Sequence, residues 1–183
     1  MVFADETGAS TDPPVRRTWG RRGRTPLIAV NRGPRARVNA TGWLCVGPQG
    51  KAVRLVFSTS RTGFTHYDFP ELIDRVHQRL GGGPVVLVWD NHASHKTRWL
   101  RGRLGAREWL TVVLLPRYAP ELNPVEALWS QLKRRIANRA YRSLDELENA
   151  MRSYLLSAQK RRDVLAGFVR SAHLTPDPIP STT

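Results

Sequence analysis

One cysteine, Cys45, is all the chain contains. That excludes an intrachain disulfide and any zinc site built on cysteine thiolates. No window approaches the ~18 apolar residues needed to cross a bilayer. The N-terminus, MVFADETG, lacks the basic and apolar regions of a secretory signal. A cytoplasmic, membrane-free protein is expected. Acidic residues are scarce as well: 15 Asp+Glu stand against 29 Lys+Arg, for a net charge of +14 and a pI near 11.3. Such an imbalance favours a polyanionic partner, nucleic acid first, because its affinity rests on neutralising phosphates. The plainer alternative is an arginine-rich proteome, since Lys51, Lys96, Lys133 and Lys160 are the only lysines. At 183 residues and 40% apolar, the chain is long enough for one domain with a substantial core.

What is present reads as alternating elements. Met1 to Ala4 is a short apolar strand ending at Asp5. The arginine- and glycine-rich stretch Arg16 to Pro26 follows, suited to a loop that approaches phosphates or simply sits in solvent. Val38, Ala40, Leu44 and Val46 mark a half-buried strand, and Val53, Leu55 and Phe57 a second one paired with it through Gly47-Pro48-Gln49-Gly50. Asp68 with Glu71 reads as a capping box for a helix whose stripe is Phe69, Leu72, Ile73, Val76 and Leu80. Val85 to Trp89 is continuously apolar, as a strand covered on both faces would be. A short basic helix over Lys96 to Gly105 and a second buried strand over Leu110 to Leu115 come next. Helices then start at Asn123, at Ser143 and near Asp163, and the proline-rich tail from Thr175 is expected to be flexible. A three-strand meander followed by α/β units predicts a mixed sheet with helices on both faces, spanning residues 1–170, with 171–183 as a tail.

Asp5 and Asp90 each follow an apolar strand, and Glu126 opens a helix. If the two strands are neighbours, their carboxylates converge at the carboxyl edge of the sheet. Three carboxylates close together in a basic chain repel one another unless hard divalent cations sit among them. Two such ions about 3.5–4 Å apart suit an in-line displacement at phosphorus. Each residue also has a structural reading. A strand-end aspartate is often a turn former. Asn123, Pro124 and Glu126 together make a capping box in which Glu126 caps rather than binds. His95 is read as a hydrogen-bonding neighbour of the site and His92 as merely polar. Lys133, Arg134 and Arg135 form a basic rim for DNA backbone, or favour the C-terminal half of their helix.

Two stretches then resemble a known family. VVLVWDNHASHKT is similar to the second-aspartate motif, and LLPRYAPELNPVEALWSQLKRR to the glutamate motif, of DDE transposases in the bacterial insertion-sequence branch of the mariner-like superfamily. FADETG with RTWGRRGRTP resembles the first-aspartate region, so the likeness covers about residues 1–155. The resemblance implies a ribonuclease H-like fold with Asp5, Asp90 and Glu126 as catalytic metal ligands, and Asn91 and His95 orienting them. It implies Mg²⁺ or Mn²⁺, as a pair of ions, and cutting at transposon ends followed by joining of the 3′-hydroxyl to target DNA, commonly at TA. It makes Arg17, Arg21, Arg22, Arg24, Lys96, Arg117, Lys133 and Arg134 candidate DNA contacts, and a homo-oligomer assembled on DNA the expected state. Location on the nucleoid follows. Family members carry N-terminal helix-turn-helix domains, and no such pattern is present in this chain. A separately encoded helix-turn-helix portion is therefore an expected partner. The alternatives are a catalytically inactive DNA-binding remnant and a stand-alone ribonuclease H-like nuclease without strand transfer.

Overall fold

The computed structural model describes residues 1–12, 16–25, 27, 36–50 and 52–172. Five strands form one sheet: β1 (Val2–Ser10), β2 (Arg37–Val46), β3 (Val53–Ser60), β4 (Val85–Trp89) and β5 (Leu110–Leu114). Their order is β3-β2-β1-β4-β5. The first three strands are an antiparallel meander, with Ala4 opposite Trp43 and Leu44 opposite Leu55. β4 and β5 then add in parallel, Val2 beside Leu87 and Leu87 beside Val112. The helices are α1 (Phe69–Arg79), α2 (Arg98–Gly105), α3 (Pro124–Ile136), α4 (Leu144–Lys160) and α5 (Arg162–Ser171).

Two apolar cores lie on the two faces of the sheet, because side chains alternate along a strand. Phe3, Val38, Ala40 and Leu44 face α3, α4 and α5. Val2, Ala4, Trp43 and Cys45 face α1 and α2. The half-buried character expected of β2 is thus corrected: helices cover both of its faces, and its centre is buried throughout. α3 packs tightly over Gly42, where an added Cβ would lie 2.8 Å from the Trp129 ring.

Three further expectations are revised. β1 does not stop at Asp5 but runs to Ser10, because pairing with β2 continues through Ser10 opposite Arg37. β5 is not a buried strand. It is the sheet edge, and Val112, Val113 and Leu114 are exposed, as is Val86 of β4. The capping box at α1 does not form: the Asp68 carboxylate instead accepts from the Thr65 N–H and hydroxyl at 2.7 and 2.8 Å, and Glu71 pairs with Arg75. At α4 Ser143 caps the helix, its Oγ accepting from the Glu146 N–H at 3.2 Å, while the Glu146 carboxylate accepts from the Arg142 N–H at 2.9 Å. The basic segment from Lys96 divides into a 3₁₀ turn (Ala93–Lys96) and α2, which Thr97 caps through the Leu100 N–H. The tail from Thr175 lies outside the described residues.

Candidate functional site

Alternation along β1 sorts its two acidic residues. Asp5 follows Phe3 towards the α3 face, whereas Glu6 follows Val2 and Ala4 towards α1. The parallel pairing of β1 with β4 sets Asp5 level with Asp90, the residue just past the end of β4. Asp5 is 7% exposed, and its Oδ2 is buried without a hydrogen-bond partner. Burial, then the charges of Glu126, Glu6 and Asp90, push its carboxyl up to about 8 against a contribution from the Glu6 N–H that lowers it.

Behind Asp90 stands a second layer on the α1 face. The His95 ring is buried, stacked 3.7 Å from Trp89 and edge-on to Phe69. Its Nδ1 lies 2.5 Å from Asp90 Oδ1 and its Nε2 3.2 Å from Glu6 Oε2. Burial opposes protonation, yet the hydrogen bonds and charges of both carboxylates outweigh it and raise His95 to about 9. Both ring nitrogens therefore donate. Burial likewise pushes Asp90 up, but His95, together with the His92 N–H at 3.2 Å, holds it below the ordinary carboxylate range. Glu6 is the residue the sequence reading missed. The available signal was its place next to Asp5 on a strand, which sends it to the opposite face, where a buried histidine needs a partner.

Glu126 arrives on the first turn of α3. Asn123 caps that helix through the Val125 N–H at 3.2 Å, and its Nδ2 donates to the Ala4 carbonyl at 3.1 Å. One buried side chain thus pins the helix start to the strand that carries Asp5. The Asn123 N–H, which a reciprocal glutamate cap would take, already donates to Pro120 O at 3.0 Å. Glu126 is exposed and free of the capping role that spacing alone suggested.

The three carboxylates line one cleft of about 470 Å³, together with Asn91, His92, Lys96, Arg117 and Tyr118. Tyr118 has a left-handed backbone, φ 59°, and is 98% exposed at the mouth. Of the basic candidates, Lys96 and Arg117 reach the cleft. Arg17, Arg21, Arg22 and Arg24 do not line it; their exposed segment is tied to Asn138, beyond α3, through the Arg16 backbone at 2.8 Å in both directions. Lys133 and Arg134 sit exposed on the far half of α3. Among the described residues, no three His, Cys, Asp or Glu side chains already form a closed metal-ligand cluster. The donor set nevertheless fits a hard divalent cation: it is all carboxylate oxygen, and one buried oxygen lacks any partner.

A meander extended by two parallel strands, helices on both faces, and an acidic cleft where β1 and β4 meet define a ribonuclease H-like fold. The chain belongs to the DDE superfamily endonucleases, whose family model matches residues 1–148. Among solved structures it resembles the Mos1 mariner paired-end complex with Mn, at TM-score 0.68 and 18% identity over 95% of this chain and 52% of that one. The catalytic domain of Mos1 mariner transposase matches at TM-score 0.56 and 18% identity, over 95% of this chain and 76% of that one. A chain in the complex of the simian T-cell lymphotropic virus intasome with PP2A regulatory subunit B56 gamma matches at TM-score 0.54 and 14% identity, over the whole of this chain and 59% of that one. The chain spans about half the length of the Mos1 chains in its first matches. Among curated proteins, no sequence match is found. Among the described residues, no helix is long and apolar enough to cross a membrane.

Proposed function

We propose that this cleft is the catalytic centre of a transposase that cuts DNA at transposon ends and joins the freed 3′-hydroxyl to target DNA. The observation that carries the reading is the meeting of Asp5, Asp90 and Glu126, from two adjacent strands and a helix start, in one cleft of a chain with net charge +14. Those three side chains would hold Mg²⁺ or Mn²⁺, probing for a pair of ions being part of the test. When bound, such ions activate the attacking oxygen and neutralise charge on the leaving oxygen. The likeness to the Mos1 paired-end complexes with Mn and with Mg, and to the Mos1 strand transfer complex, supports the same chemistry for this chain.

The chain's own residues prepare that chemistry. Protonated His95, clamped by Glu6, keeps Asp90 ionised and fixes its rotamer. Asn91, beside Asp90 on the cleft wall, is assigned an orienting part. Burial and the neighbouring carboxylates raise the Asp5 carboxyl to about 8, so a bound cation would favour its ionised form. Lys96 and Arg117 contact phosphate from the cleft walls. The arginine segment (Arg17, Arg21, Arg22 and Arg24), with Lys133 and Arg134, is assigned to the DNA path outside the cleft. A homo-oligomer assembled on DNA completes the proposal.

Strand cleavage of a labelled duplex with Mg²⁺ or Mn²⁺ tests the reading. Wild-type protein should cut, and Asp90→Ala or Glu126→Gln should lose at least about a hundredfold in rate while retaining DNA binding. Isothermal titration with Mn²⁺ should count the ions. Unchanged cleavage in either variant overturns the triad. Salt-sensitive binding without cation-dependent cleavage would identify a DNA-binding remnant. Cleavage without joining of pre-cut ends would identify a nuclease.

A further inference from the structure

Outside the cleft, an exposed aromatic cluster joins the starts of α1 and α2. The His66 and Tyr67 rings lie 4.0 Å apart, and Trp99 meets Tyr67 edge-on at 4.7 Å and His66 at 5.7 Å. The Arg103 guanidinium sits 5.7 Å from the Trp99 ring centre, one helical turn further on. Tyr67 is 63% and Trp99 41% exposed. Rings that only stabilised the helix junction would be turned inwards, as Phe69 is next door.

The cluster is also rigidly presented. Thr65 donates twice to Asp68, and the Tyr67 N–H donates to Thr65 Oγ at 3.3 Å, so the turn carrying both rings is held by its own hydrogen bonds. α2 is held by the Thr97 cap at 3.2 Å. An aromatic surface already ordered before binding loses little conformational entropy when a ligand stacks on it. Its surroundings are cationic: Arg98, Arg101 and Arg103 are exposed on α2. Lys96, on the turn that leads into α2, lines the acidic cleft.

We infer that Tyr67, Trp99 and Arg103 form a stacking platform for an unpaired base of single-stranded DNA running past the cleft. Every base offers a π face and every nucleotide a phosphate, which matches rings interleaved with arginines. A paired duplex hides those faces and leaves only phosphates for the arginines. The inference rests on the reading of the chain as one that acts on DNA. It requires no cation and no cleavage, so its test is independent of the catalytic centre.

Fluorescence anisotropy in EDTA decides it, with a labelled thymidine oligonucleotide of about 20 nucleotides, beyond the span of one site, and a duplex of mixed sequence and the same length. Tyr67→Ala and Trp99→Ala should each weaken single-strand binding about tenfold, while Trp99→Phe retains most of it. Duplex binding should change less than about twofold, because the phosphate contacts persist. Equal losses on both DNAs, no loss on the single strand, or no single-strand binding by the wild type would each overturn the platform. Should Trp99→Ala unfold α2, Tyr67→Ala on its exposed turn carries the test alone. Failure of wild-type cleavage with Mg²⁺ would count against the catalytic reading only.

Discussion

Asp5 shows how much one buried carboxyl can dictate. Its ordinary value is 3.8 and its folded value about 8, so across that interval the folded chain keeps a proton that the unfolded chain releases. A raised group contributes stability that is complete below the unfolded value and lost as pH climbs through the folded one. Without cations, the melting temperature should therefore fall as pH rises from 3.8 towards 8. His95 adds a loss in the same direction only above its ordinary 6.5. Below 6.5 the trend belongs to Asp5 rather than His95, and Asp90, held low, works in the opposite sense only in more acid solution. Thermal melts at several pH values check this: Asp5→Asn should flatten the profile below 6.5, and added Mg²⁺ should raise the wild type most at higher pH. Tyr118 makes a second case. Its φ of 59° strains a residue with a Cβ, and its ring touches only solvent and the cleft. Tyr118→Gly should hold or gain stability by up to about 1 kcal/mol. DNA cleavage by the same variant should drop if that ring meets substrate.

At the scale of elements, α3 is the joint on which the cleft depends. Asn123 caps the helix and also donates to Ala4 O, so it sets the distance between Glu126 and the Asp5 strand. Asn123→Ala removes a cap and leaves a buried carbonyl unpaired; denaturant melts should show a loss of about 2–3 kcal/mol. Asn123→Asp retains the cap acceptor and loses the donor, so it should restore only part. One layer deeper, Gly42→Ala forces a Cβ against Trp129 and should cost about 1–3 kcal/mol by the same measurement. The edge strand β5 behaves differently. Val113 is exposed, so Val113→Lys should leave the melting temperature within about 0.5 kcal/mol equivalents of wild type while lowering aggregation seen by light scattering.

For the whole molecule, a net charge of +14 should make duplex binding fall steeply between low and physiological salt, with a log–log slope that reports the phosphates contacted. Much of the architecture was legible in the sequence alone. An apolar stripe placed α1, and helix-start signals placed α3, α4 and α5; each proves to carry an apolar face turned to the core. The apolar runs before Asp5 and Asp90 and the cap before Glu126 singled out the three cleft carboxylates, since all three signals are local. The register of β1 against β2 and β4 decided the rest: it kept Asp5 inside a strand, turned Glu6 to the other face, and set Asp5 beside Asp90. The strand order made β5 an edge, and the 3₁₀ turn Pro120–Leu122 took up the Asn123 N–H, freeing Glu126 from the cap. Local sequence determines which residues can form a strand, a helix start or a charge; which face they present, and what they meet there, depends on pairings between segments far apart in the chain.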